Sequence, residues 1–210
     1  HVTGVQTCAL PILRFHQVLC RTGESGDFEK ANFPIGVEGG KTSTCPTQNL
    51  MEAYDMKDGT PFVWNNQSNP YDNRDPRMKY TIVCNEMKWP VDPVEIWEGG
   101  TNGLPLQNAT TTGYYLKKYV NNTISFEAGS TVTKKQHNWV LFRYGEILLN
   151  YAEAMINAFH DPNYKDAVYN MSAREAVNQI RGRTNISLPG FPSDIDRKST
   201  RLNSSHMNLS

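Results

Sequence analysis

Between residues 60 and 108 the chain carries six prolines, Pro61, Pro70, Pro76, Pro90, Pro93 and Pro105. Each removes a backbone N–H and fixes φ near about −65°. No long helix or strand survives that spacing, so the stretch must run as short pieces joined by loops, and the one strand its pattern predicts is residues 79–84. Loops this long inside a compact domain are uncommon unless they bind something. The stretch is therefore the first place to look for function, and it holds Trp64, Trp89 and Trp97.

The flanking segments read differently. Residues 13–46 mix short apolar runs with Gly23, Gly26, Gly36, Gly39 and Gly40, which predicts turns joining brief extended pieces and no long helix. Thr47 is an N-capping residue before a short helix over 48–56, with Gly59 as its stop. Residues 112–120 are a second β candidate. In 139–159, Leu141, Tyr144, Leu148, Tyr151, Met155 and Ala158 follow one another by three or four residues, which lines one helical face for about five turns. After Asp161-Pro162, Val168, Met171, Ala176, Val177 and Ile180 predict a second, antiparallel helix over 165–183. Two such helices cannot bury both apolar faces alone, so a further helical wall is expected from chain outside this sequence. The fold class expected is mainly α, with loop-rich and short β segments.

Charge narrows the partners. The 210 residues carry 21 basic and 21 acidic side chains, so no bulk field draws the chain to nucleic acid or to an anionic membrane. No run approaches the roughly 18 consecutive apolar residues of a membrane-spanning helix. Both ends stand apart from the middle: Asp196 to His206 and Val2 to Ile12 can be encoded by opposite strands of one duplex, that of a common sequencing-library adapter. Residues 1–12 and 196–210 are therefore expected to be adapter-derived, and 13–195 the genuine insert. Three cysteines remain in it, Cys20, Cys45 and Cys84. Their spacing offers no zinc pairing and reads as small semi-buried side chains, with one disulfide open in an oxidising compartment.

No HExxH, GxSxG, GxxxxGK[ST] or GxGxxG motif occurs in the insert. Asp72, Asp75, Asp92, Glu95 and Glu98 cluster in the proline-rich stretch, and a glycosidase needs two carboxylates facing one bond. Arg74 and Arg77 beside Asp72 and Asp75 read instead as internal ion pairs that pin a loop. Asp55, Asp58, Asp72, Asn73 and Asp75 are hard oxygen donors suited to calcium, but no EF-hand spacing exists. Calcium is possible and not assignable, and no other cofactor is expected. The aromatics say more. Trp64, Tyr71, Trp89 and Trp97 sit among Asn, Gln, Asp and Pro, including Asn65, Asn66, Gln67, Asn69 and Asn73. Pyranose rings have apolar C–H faces and hydroxyl edges, which match an aromatic platform flanked by amides. The ligand-binding set expected on that chemistry is Trp64, Asn66, Tyr71, Trp89 and Trp97, with no catalytic residue and no metal ligand.

Five segments, taken in order, carry a family resemblance: 46–54 (PTQNLMEAY) with Lys57-Asp58-Gly59, 70–77 (PYDNRDPR), 112–118 (TGYYLKK), 142–154 (FRYGEILLNYAEA) and 177–183 (VNQIRGR). Together they resemble SusD/RagB-type proteins, with 13–195 as the C-terminal part of a longer domain. The resemblance implies a surface-exposed lipoprotein of the outer membrane, held there by an N-terminal lipid anchor. It implies glycan binding without cleavage, and delivery to a SusC-like TonB-dependent transporter for nutrient uptake. It also implies tetratricopeptide-like helix pairs supporting a loop-rich ligand face. Two other readings stay open on the residues alone: a secreted glycoside hydrolase or accessory domain using Asp72, Asp75 or Glu95, and a helical-repeat adaptor without a small ligand.

Overall fold

The computed structural model describes residues 17–65, 69–131 and 133–191. Residues 1–12 and 196–210, expected to be adapter-derived, lie outside the described residues, as does Asn66. The chain is mixed and loop-rich, with few short helices and small sheets. In order it forms β1 (Gln17–Ser25), α1 (Asp27–Asn32), α2 (Gln48–Glu52), α3 (Pro76–Thr81), β2 (Ile82–Val83), β3 (Tyr115–Leu116), β4 (Lys135–Arg143), α4 (Tyr144–Phe159) and α5 (Ala173–Arg181). The expected loop-rich frame with short β segments is present, and the helices are few and short, with only α4 exceeding nine residues. Two two-stranded sheets form, β1 with β4 and β2 with β3. In the second, antiparallel pairing sets Ile82 opposite Leu116 and Val83 opposite Tyr115.

The described residues fall into two compact units. The first is built on α4 and α5. Leu148, Leu149, Ala152, Met155 and Ile156 of α4 bury against Ala173, Ala176, Val177 and Ile180 of α5, as the periodicity predicts. Small side chains at Ala152, Ala173 and Ala176 let the helix backbones come close, and each larger apolar side chain buried there contributes about 1.5–3 kcal/mol. Both helices start later than expected. In 139–143, Trp139 to Arg143 continue β4, because aromatic and β-branched side chains pair well in a strand. Helix α5 starts only after Ser172, whose hydroxyl accepts from the Glu175 N–H at 3.2 Å while the Glu175 carboxylate accepts from the Ser172 N–H at 2.8 Å. This reciprocal capping box fixes the start. Before it, Asp166 ties the chain into a turn, accepting from the Val168 and Tyr169 N–H groups at 2.8 and 2.6 Å and from the Tyr164 hydroxyl at 2.8 Å.

The second unit takes in α1 to α3, β2, β3 and the proline-rich stretch. It has two apolar centres. One gathers Phe33, Val83, Trp89, Val94, Tyr115 and Val120, the other Met51, Tyr54, Met78, Ile82, Cys84 and Tyr114. The strand expected over 79–84 is helical through Thr81. Asp75 caps it, accepting from the Arg77 N–H at 2.9 Å, and Pro76 occupies the first helical position, where its missing N–H costs nothing. Only Ile82 and Val83 remain extended. The strand expected over 112–120 shrinks likewise to Tyr115–Leu116. The helix expected over 48–56 keeps its Thr47 cap, which accepts from Leu50 N–H at 3.2 Å, but ends at Glu52.

Candidate functional site

Two of the expected platform residues, Trp64 and Tyr71, belong to one cluster, and a helix end organises it. Thr47 starts α2, and one turn of helix puts Gln48 and Glu52 on the same face four residues apart. There the Gln48 amide donates to Glu52 Oε1 at 2.8 Å, and the Trp64 indole N–H donates to the same oxygen at 2.6 Å. Gln48 Oε1 in turn accepts from the Tyr114 hydroxyl at 2.8 Å. Tyr71 meets Tyr114 edge-on, centroids 6.3 Å apart. Trp64 is thus clamped by its N–H while 49% of its surface faces solvent. Gln48 and Trp64, as donors, hold the Glu52 carboxyl below the usual range. Burial pushes the half-buried Tyr71 phenol up and raises Tyr114 well above the ordinary phenol range.

Beneath this face sits Arg74, 3% exposed. Its Nη2 donates to the carbonyls of Met51 and Tyr54 at 2.7 and 2.6 Å, and its Nε to Tyr54 at 3.2 Å. Its Nη1 donates to the Pro70 carbonyl at 3.0 Å and to Met51 Sδ at 3.2 Å. The guanidinium plane covers Phe62, 3.6 Å from the ring centroid, and Phe62 meets Trp64 edge-to-face at 5.1 Å. The ion pair expected of Arg74 is therefore replaced by backbone carbonyls. The one expected of Arg77 forms, with Nε 3.0 Å from both oxygens of Asp75. That pairing and the capping of α3 occupy Asp75, one of the carboxylates considered for hydrolysis.

The other expected residues lie apart from this cluster. Trp97, 48% exposed, stands in a tight turn where its carbonyl accepts from Gly100 N–H at 2.9 Å and Gly99 N–H donates to Leu104 at 2.6 Å. Exposed Leu104 and Leu106 share that turn. Trp89 corrects the expectation that it faces solvent: it is 6% exposed and packs with Phe33, Val83, Val94 and Tyr115. Lys117 Nζ lies 5.1 Å from its ring centroid. The physical reason is the run of apolar partners from β2, β3 and Val94, which the local sequence around Trp89 does not display. Asn66 lies outside the described residues. Glu52 and Gln48, which hold the platform together, are absent from the expected set. They read as ordinary helix residues, and nothing in a sequence separation of 12 announces the Trp64–Glu52 bond.

Among the described residues no three His, Cys, Asp or Glu side chains converge as a metal site, and no helix is long and apolar enough to cross a membrane. Among the described residues the cysteines are free, with Cys20 exposed and Cys84 buried.

A sequence profile of the SusD family matches residues 21–198. The chain belongs to the SusD family. SusD-family carbohydrate-binding proteins are non-catalytic. The fold is similar to that of a SusD-like protein from Bacteroides fragilis NCTC 9343, with a TM-score of 0.70 and 23% identity, covering 92% of this chain and 40% of the other. It is also similar to a SusD-like carbohydrate-binding protein of the same organism, TM-score 0.67 and 24% identity, covering 86% of this chain and 35% of the other. The SusD-family chain thus spans 40% and 35% of the lengths of these two structures. No curated protein matches it.

Proposed function

We propose that this chain is part of a cell-surface protein of the outer membrane that binds glycans and passes them, uncleaved, to a SusC-like TonB-dependent transporter. Membership of the SusD family supports the class, and the similar B. fragilis structure is a carbohydrate-binding protein. The observation that carries the reading is Trp64: an indole held rigidly through its N–H by Glu52 yet half open to solvent. A rigid aromatic loses little side-chain freedom when a sugar ring stacks on it, which is what makes such residues good platforms. Tyr71 supplies a polar neighbour for the ring hydroxyls, and Trp97 offers a second open indole. A lipid anchor carried by the rest of the protein would hold it at the membrane. The half-open indoles favour this reading over an adaptor with no small ligand.

Calorimetric titration of the full-length protein against a panel of oligosaccharides tests it, with Trp64→Ala and Trp97→Ala beside wild type. Binding to at least one glycan is expected, with Trp64→Ala weakening it about tenfold or more, equivalent to about 1.4 kcal/mol. Unchanged affinity in Trp64→Ala would remove this site, and no binding across the panel would remove the function.

A further inference from the structure

The charge that a ligand on Trp64 meets is set by two residues with opposite fates. Glu52 uses one carboxylate oxygen for both of its donors, Gln48 at 2.8 Å and Trp64 at 2.6 Å. Its Oε2 meets no donor in the described hydrogen bonds, and Gln48 and Trp64 hold the carboxyl below its usual range. Arg74 lies beneath this cluster, and its charge reaches Glu52, but its donors are committed. A guanidinium has five N–H groups, and here each finds an acceptor inside the protein: Tyr54, Met51 and Pro70 carbonyls and the Met51 sulfur. Its flat face is closed by Phe62. No N–H remains to hold a ligand's carboxylate or sulfate, so a ligand meets the free oxygen of an anion at the surface, while the buried Arg74 offers it no direct bond.

We propose that Glu52 is a specificity-determining residue that restricts the sugar seated on Trp64 to one without negative charge, a neutral hexose, pentose or amino sugar, against uronic acids and sulfated sugars. This rests on the glycan-binding reading and deepens it. A ring stacked on an indole whose N–H touches Glu52 lies well within the screening length of about 8 Å at physiological salt, so a like charge on that ring is felt. A neutral ring instead offers hydroxyl donors to Oε2, and an amino sugar offers an ammonium.

The test is titration of the full-length protein with two sets of hexasaccharides. The neutral set contains gluco-, manno-, galacto- and xylo-oligosaccharides, and the acidic set oligogalacturonate and sulfated glucan. Wild type should bind the best neutral member at least tenfold more tightly than any acidic one, with the gap shrinking as sodium chloride is raised. Glu52→Gln, which keeps an oxygen for Gln48 and Trp64 and removes the charge, should narrow the gap at least threefold. Wild type binding acidic and neutral members equally overturns the proposal whether or not the variant folds, as does a gap that Glu52→Gln leaves unchanged. In either case Trp64-dependent binding would leave the glycan reading standing. Failure to bind every member of both sets overturns both.

Discussion

Replacing Arg74 with Met tests whether the ligand face depends on a buried cation for its support. Met retains length and apolar contact with Phe62 but removes all five donors. The loss can be worked bond by bond. The Tyr54 carbonyl, which accepts twice from Arg74 at 2.6 and 3.2 Å, is left without a donor, at about 1–3 kcal/mol for a buried orphan. The Met51 carbonyl keeps the Tyr54 N–H at 3.3 Å and loses only its charge-assisted bond at 2.7 Å. Pro70 is half-buried, so water can replace the bond to its carbonyl. Bonds to charged groups contribute about 1.5–3 kcal/mol each, with part returned when the guanidinium no longer has to be desolvated. A net loss of about 3 kcal/mol is expected for Arg74→Met, and about 2 kcal/mol for Arg74→Lys, whose single ammonium cannot span three carbonyls. Urea unfolding of the full-length protein, followed by tryptophan fluorescence, measures both. A loss below about 1 kcal/mol in Arg74→Met would show that water or a backbone shift satisfies the carbonyls, and that the guanidinium does not brace the platform.

Two further perturbations probe the helix pair and the buried thiol. Ser172→Ala should destabilise the α4–α5 unit by about 1 kcal/mol through loss of the capping box. Lys165 and the Ser172 N–H hold the Glu175 carboxyl below its usual range, so the carboxylate's share of the box is complete above the ordinary glutamate pKa of 4.5 and fades as pH falls through the lowered folded value. The wild-type advantage over Glu175→Gln in thermal melts should therefore shrink in acid, and an advantage constant from neutral pH to pH 3 contradicts the assignment. Burial pushes the Cys84 thiol up to about 12, so Ellman's reagent should reach exposed Cys20 in the native protein and Cys84 only after unfolding. Labelling of Cys84 at the same rate as Cys20 would place it outside the core.

How much was legible follows the range of each signal. Thr47, the apolar stripe of α4 and the Arg77–Asp75 pair are local and were readable. The boundaries were less so, because the same residues satisfy two rules. Leu141 and Tyr144 open the helical stripe, yet Leu141 takes a strand position in β4, where pairing with β1 outweighs periodicity. The Asp75-Pro76 start of α3 and the Ser172-x-x-Glu175 box are local signals that outrank the apolar pattern, and both fix a helix start that periodicity alone misplaces. Trp89 was unreadable in principle: its partners Phe33 and Tyr115 are far away in the chain. Glu52 is the same problem at the site itself, since its role exists only once residue 64 has folded back onto α2.

The family segments and the platform divide the work between them. In 70–77, Arg74 turns inward to three carbonyls, while Asp75, Pro76 and Arg77 start α3. Arg74, Asp75 and Arg77 are thus consumed in building the floor, while Asp72 of the same segment stays exposed. In 46–54, Thr47 caps α2, and Met51 and Tyr54 give their carbonyls to Arg74. Gln48 and Glu52 of that helix point their polar ends at aromatic hydroxyl or indole groups. A segment whose residues hold one another can be kept while the loop it supports is exchanged. On the proposed glycan-binding role, Trp64 and Trp97, outside all five segments, are the positions where ligand preference would change. Glu52 is the exception, a member of a scaffold segment that also holds the Trp64 indole, so on the proposed role its charge would tie what the platform accepts to how the scaffold is made.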